Sequence, residues 1–271
     1  MEHIKELIAQ RKSVRSYDGT PLRAEDREKL ETCLAQLSSP FDIPMEFRIL
    51  DAREHGLSSP VVTGTEAYVA GKLARSPNAA LAFGYALETF VLYALSLGVG
   101  TVWIAGTMDR AAFERAMELQ EGEIMPAVTP IGYPAARRSL RDAAMRRAIR
   151  ADARIPFEQL FYEDGFDKAL DPARAGVYFD ALEAVRLAPS AVNKQPWRVV
   201  KQGEAFHFYK KSSLPSDPAK GDVQQLDIGI ALAHFMLVLA EQGVKGGVTQ
   251  ADPGLQHAAD EAYQLTWTRD T

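Results

Sequence analysis

The sequence predicts an α+β protein made of two copies of one unit, and three observations carry that reading. Residues 81–98 align without a gap on residues 226–243, so that Gly84 falls on Gly229, Phe90 on Phe235, Leu92 on Leu237 and Gly98 on Gly243. The stretch 4–50 has its layout of short helix, turn, helix, loop and strand repeated in 156–200. Helical and strand periodicities occur in both copies. The whole chain is then one unit of two repeats, residues 1–153 and 154–271.

Apolar spacing and end signals place helices near 3–10, 23–37, 77–97, 109–119, 137–151, 156–163, 172–187 and 222–242. The first is amphipathic. The two repeat helices are apolar on nearly every face, which marks helices buried all round and, in a two-fold arrangement, packed near the axis. Strands are predicted near 46–51, 99–105, 124–132, 197–202, 205–210, 244–249 and 262–268, in antiparallel or mixed sheets. Gly98, Gly100, Gly243, Gly246 and Gly247 punctuate the turns that leave the repeat helices. Residues 52–76, with Gly56, Pro60 and Gly64, read as a loop or lid.

Two runs carry the chemistry. In Arg11-Lys12-Ser13-Val14-Arg15 the residues Arg11, Ser13 and Arg15 recur at a period of two, so an extended backbone points them to one side. Two guanidiniums and a hydroxyl converging there suit a phosphate. The bland alternative is solvated basic surface after a helix. The second run, Pro189-Ser190-Ala191-Val192-Asn193-Lys194-Gln195-Pro196-Trp197, is a loop entering an apolar strand, with an Asn able both to donate and to accept.

Together the two runs resemble the nitroreductase family of FMN enzymes, and specifically a subgroup with two fused, duplicated halves. The resemblance implies a nitroreductase-like fold. It implies that Arg11, Lys12, Ser13 and Arg15 hold the FMN phosphate and that Pro189, Ser190 and Asn193 lie against the flavin ring. Gln195 and Trp197 set the loop. The segment 102–106 resembles the strand along the flavin edge, bringing Ile104, Ala105 and Gly106 to the cofactor. Arg154 resembles a late arginine that returns to the phosphate, with Arg150 as the competing candidate.

Ordinary family members carry the two runs close together, whereas here about 175 residues separate them. A fused dimer explains the displacement, because the family's FMN sites lie between two subunits. The copies have lost complementary features. Where the first has Arg11, Ser13 and Arg15, the second has roughly Glu163, Gly165 and Asp167, which would repel a phosphate. Where the second has the Pro-Ser-x-x-Asn-x-Gln-Pro-Trp loop, the first has no Gln-Pro-Trp. One site is expected to survive in a monomeric pseudo-dimer.

The expected activity is ping-pong transfer from NADH or NADPH, through flavin N5, to a nitroaromatic, quinone or similar acceptor. The flavin carries the redox chemistry, so no catalytic acid, base or metal is assigned. An FMN-binding protein without turnover, a carrier or regulatory pseudo-enzyme, is the alternative.

Composition is consistent with this and decides less. The chain has 271 residues, 46% hydrophobic and 25% charged, with net charge -5, and gives no reason to expect nucleic acid or an anionic membrane as partner. Its lone Cys33 excludes an internal disulfide and fits a reducing, cytoplasmic setting. No apolar run reads as long and uninterrupted enough to span a bilayer. Gly98-Val99-Gly100 lacks the third glycine and the following helix of a dinucleotide fingerprint. No metal-ligand spacing or Gly-x-Ser-x-Gly elbow is present.

Arg137, Arg138, Arg141, Arg146, Arg147 and Arg150 read mainly as a solvated helix face joining the halves. Glu88 and His234, at adjacent positions of the matching apolar helices, read first as a paired structural group near the axis.

Overall fold

The computed structural model describes residues 2–137, 140–217 and 220–270. Two long helices, α3 (Ala79–Ser96) and α7 (Val223–Glu241), cross at its centre. Gly84 and Gly229 make the crossing possible. A Cβ on Gly84 would stand 2.2 Å from the carbonyl oxygen of Leu226, and one on Gly229 2.2 Å from that of Leu81. The positions matched by sequence are therefore also matched in space, each helix presenting its backbone to the other.

Both helices are long and apolar enough to cross a membrane by length and composition, contrary to the sequence reading, yet 72% of each is buried inside the protein. Their partners explain the pattern. Phe83 and Phe90 of α3 and Phe235 of α7 join a core that spans both halves. Complete burial of each such ring stabilises the fold by about 1.5–3 kcal/mol. Asp222 caps α7 by accepting from the amides of Gln224 and Gln225. The helices end at Gly98 and Gly243 with φ near 74° and 73°, where a side chain would be strained.

The first half holds α1 (Ile4–Gln10), α2 (Ala24–Ala35), β1 (Met45–Asp51), β2 (Ala67–Ala74), β3 (Gly100–Thr101), α4 (Arg110–Ala116), β4 (Glu123–Ile124), β5 (Val128–Gly132) and α5 (Leu140–Ala148). Its sheet has the order β1-β2-β5-β3, with β4 beside β2, all antiparallel. The second half holds β6 (Phe161–Glu163), α6 (Phe179–Leu187), β7 (Trp197–Gln202), β8 (Ala205–Lys211), β9 (Gly246–Thr249) and β10 (Glu261–Arg269). That sheet runs β6-β7-β8-β10-β9 and is mixed, because β6 pairs with β7 in parallel. The halves interlock: α1 packs on α6 and α7, and the Ile4 amide donates to Glu241 at 2.9 Å.

Several expected elements are redrawn. The segment 52–76 is not all loop, since β2 lies inside it as an interior strand buried along seven of its eight residues. Its alternation is hidden because both faces are covered. The helix expected at 156–163 is a single 3-10 turn, Phe157–Gln159, followed by β6. That expected at 172–187 begins as two 3-10 turns and becomes α-helical only at Phe179. The strand expected at 99–105 is two residues long, with a separate bridge from Ile104 to Val128. Residues 124–132 split into β4 and β5 around Pro126. In the helix expected at 137–151, α5 covers 140–148, and residues 138 and 139, including Arg138, lie outside the described residues.

Candidate cofactor site

A cavity of about 600 Å³ opens between the halves. Ser13 and Arg15 enter it from the run after α1, Ile104, Ala105 and Gly106 from the segment after β3, and Pro189 and Ser190 from the second half. These seven residues, from three distant stretches, are the part of the expected site that the structure brings together.

The first two stretches are stitched to each other. The Val14 amide donates to the Thr101 carbonyl at 2.8 Å. Gly100 permits this approach, because a Cβ there would lie 2.8 Å from a Val14 methyl. Arg15 Nη1 donates to Asp142 of α5 at 2.8 Å, both side chains being nearly buried. The loop of the second half is held from several sides. Ser190 Oγ accepts from the Gln195 amide at 2.8 Å, and Gln195 Oε1 accepts from the Ile155 amide at 2.9 Å. Val192, Asn193 and Gln195 have φ of 43°, 57° and 48°, a left-handed backbone that costs each of them, Val192 most of all.

The other expected residues lie elsewhere. Lys12 is exposed, and neither it nor Arg11 lines the cavity. Arg11 turns inward, its Nε 3.9 Å from Glu88, and burial lowers its pKa while Glu88 opposes that. Arg154 spends its Nη atoms on the carbonyls of Ala151, Ala153 and Leu187. It therefore ties the junction of the halves to the end of α6. Asn193 donates to the carbonyls of Arg150 and Ala153, so it fastens the loop to the same junction. Arg150 is exposed and lines a shallow surface depression with Arg146 and Arg147. Gln195 sets the loop by its bonds, and Trp197 is fully buried beneath it.

Four charged lining residues, Arg110, Asp217, Lys220 and Asp227, escaped the sequence reading, and Arg110 and Asp227 anchor the walls. Arg110, first residue of α4, donates to the carbonyls of Met125 and Ala105, each at 2.8 Å, and so fixes the edge segment from outside. Burial lowers its pKa, with Glu114 acting in the other direction. Its signal was available: an arginine after the helix-capping Asp109, just past residue 106. Asp227 of α7 is buried at the cavity wall and receives the Ala191 amide on both carboxyl oxygens, at 3.0 and 3.1 Å. Burial pushes its carboxyl well above the usual range, while that amide works against the shift. Its signal was an acid near the start of an apolar helix, aligned with Ala82. From the loop segment 52–66, Val61 completes the wall.

The cavity fits FMN in size and chemistry. Its volume is in the range of cofactor sites, its wall is mostly apolar, and Ile104, Ala105 and Gly106 line one side of it. Ser13 and Arg15 offer an anion site at one side.

Two sheets packed about crossed central helices, with a cleft between halves, define the nitroreductase-like fold, an α+β architecture. The chain belongs to the family described as "Putative TM nitroreductase", whose model matches residues 3–239. A solved structure from Thermotoga maritima, described as a putative nitroreductase, is similar over 98% of this chain and 92% of its own, at 20% identity and a TM-score of 0.62. A nitroreductase with bound FMN from Bacteroides fragilis matches 52% of this chain and 92% of its own, at 19% identity and a TM-score of 0.42. No curated protein matches the chain.

Proposed function

We propose that the protein is an FMN-dependent oxidoreductase that takes electrons from NADH or NADPH and delivers them to a flat acceptor, a nitroaromatic or quinone, in ping-pong order. The observation that carries this reading is the convergence of Ser13 and Arg15, the 104–106 edge, and Pro189 with Ser190 on one cavity. When bound, FMN supplies the two-electron chemistry. The chain's own residues bind and orient it. Arg15 and Ser13 hold the phosphate, with Asp142 giving up its bond to Arg15 or sharing it. Ile104, Ala105 and Gly106 would line the wall beside the ring, and the loop at Pro189 and Ser190 would lie against it from the second half. Arg11, Arg154 and Asn193 support these walls from behind. Donor and acceptor occupy the remaining open side in turn.

The duplicated reading, with halves at about 1–153 and 154–271, belongs to the same proposal. It is supported by the reciprocal placement of Gly84 and Gly229 and by one five-stranded sheet in each half. Because the cleft already has both walls in one chain, the protein is proposed to work as a monomer, in a cytoplasmic setting.

The test is the visible spectrum after addition of FMN and removal of the excess. One retained flavin per chain is expected, followed by oxidation of NADH or NADPH with menadione or nitrofurazone as acceptor. Absence of retained flavin refutes the reading; retention without turnover leaves a flavin-binding protein.

A further inference from the structure

Glu88 is fully buried in the middle of α3 and gathers partners from three parts of the chain. Trp103, beside the edge segment, donates its Nε1 hydrogen to Oε2 at 2.7 Å. His234 of α7 places Nε2 2.9 Å from Oε1, while its Nδ1 lies 2.9 Å from the Ala184 carbonyl. A carbonyl only accepts, so Nδ1 carries a hydrogen, and Nε2 and Oε1 share another between them. Arg11 completes the group. Its Nε faces Oε1 at 3.9 Å and has no hydrogen-bond partner among the described residues.

A buried carboxylate is costly unless it is well partnered, so its presence in an apolar helix calls for a cause. The repeat supplies a comparison inside the same molecule. The gapless alignment sets Ala233 against Glu88, Thr89 against His234 and, carried five residues further, Val248 against Trp103. Glu163 falls near the counterpart of Arg11. Support of the helix crossing alone would be needed equally on both sides of the pseudo-axis. Instead the related site keeps none of them: Ala233, Val248 and Glu163 stand in the half that lacks the phosphate run, and Thr89 stands in the other.

The partners also connect to three of the stretches that line the cavity. Trp103 lines it and leads into Ile104. Arg11 begins the run that continues to Ser13 and Arg15. His234 sits on the helix whose Asp227 holds the Ala191 amide. We propose that Glu88 is a positioning residue of the cofactor site, joining Arg11, Trp103 and His234 so that the site takes shape only when the two halves are docked. This rests on the FMN reading given above.

The experiment compares the full chain with Glu88→Gln, Glu88→Leu and Trp103→Phe. FMN affinity is measured by fluorescence titration and the environment of bound FMN by visible circular dichroism, with far-ultraviolet dichroism as the control for folding. Glu88→Gln keeps an oxygen for Trp103 and offers an amide hydrogen to His234, so it is expected to bind FMN nearly as the parent does. Glu88→Leu is expected to weaken FMN about tenfold or more, the scale of a lost bond to a charged group, and to alter the visible dichroism. Trp103→Phe, which leaves the Glu88–His234 pair intact, should shift both readouts the same way and decides the matter if Glu88→Leu fails to fold. Parent-like affinity and dichroism in Trp103→Phe or in a folded Glu88→Leu overturns the inference. A parent protein that holds no FMN removes the cofactor reading itself, a result seen before any variant is made.

Discussion

Gly84 and Gly229 face each other's helices across the central crossing, each 2.2 Å from a carbonyl oxygen if given a Cβ. The obstacle on both sides is backbone, which cannot swing aside as a side chain can. Gly84→Ala and Gly229→Ala are each expected to destabilise the protein by about 1–3 kcal/mol, the ordinary cost of overpacking. Denaturant unfolding checks this. An unchanged midpoint for either variant would show that the helices separate more easily than the packing implies.

Arg15 is the cation of the phosphate run that reaches the cavity. Reversing its charge sets a second carboxylate beside Asp142, where the phosphate should lie. Arg15→Glu is expected to weaken FMN by about a hundredfold or more and, because it also breaks the buried pair with Asp142, to lower the stability of the fold by about 3–5 kcal/mol. Equilibrium dialysis against FMN reads this directly, and full flavin occupancy in the variant would sink the assignment.

Asp227 gives the protein a pH dependence whose sign follows from its burial. Its carboxyl is held well above the ordinary value in the folded state, so the unfolded chain ionises first as pH rises. The favourable contribution is complete below the ordinary aspartate value and is lost as pH climbs toward the folded one. Asp227→Asn keeps an acceptor for the Ala191 amide and cannot ionise. Its melting temperature, compared with the parent's at about pH 5 and about pH 8, should gain more at the higher value. A difference independent of pH would mean that the carboxyl is not desolvated.

Cys33 is half-buried, and burial pushes its thiol up to about 11. Little thiolate exists at neutral pH. The folded protein should therefore react with iodoacetamide far more slowly than the urea-unfolded chain, as mass spectrometry over a time course would show. Equal rates would contradict the placement.

The fused arrangement proposed above predicts a monomer. Light scattering should give a mass near 29.8 kDa. An obligate dimer in which α3 and α7 are buried between chains would overturn the pseudo-dimer proposal.

What the sequence by itself determined was the outline: an α+β fold, two buried helices, and the two runs whose resemblance gave the family. These were legible because they depend on local patterns. An all-apolar helix, an alternating Arg-x-Ser-x-Arg and a Pro-Ser-x-x-Asn loop carry their meaning within a few residues. The interior strand β2 was not legible, because burial of both faces erases the alternation that announces a strand. Nor was the division of labour among the arginines. Arg11, Arg15, Arg110 and Arg154 are chemically alike, and only packing decides which one meets the cavity and which one meets Glu88 or a carbonyl. Side-chain direction in irregular segments is set by long-range contacts such as Val14 to Thr101 and Asp227 to Ala191. Those contacts join residues far apart in the chain, so tertiary structure alone could supply them.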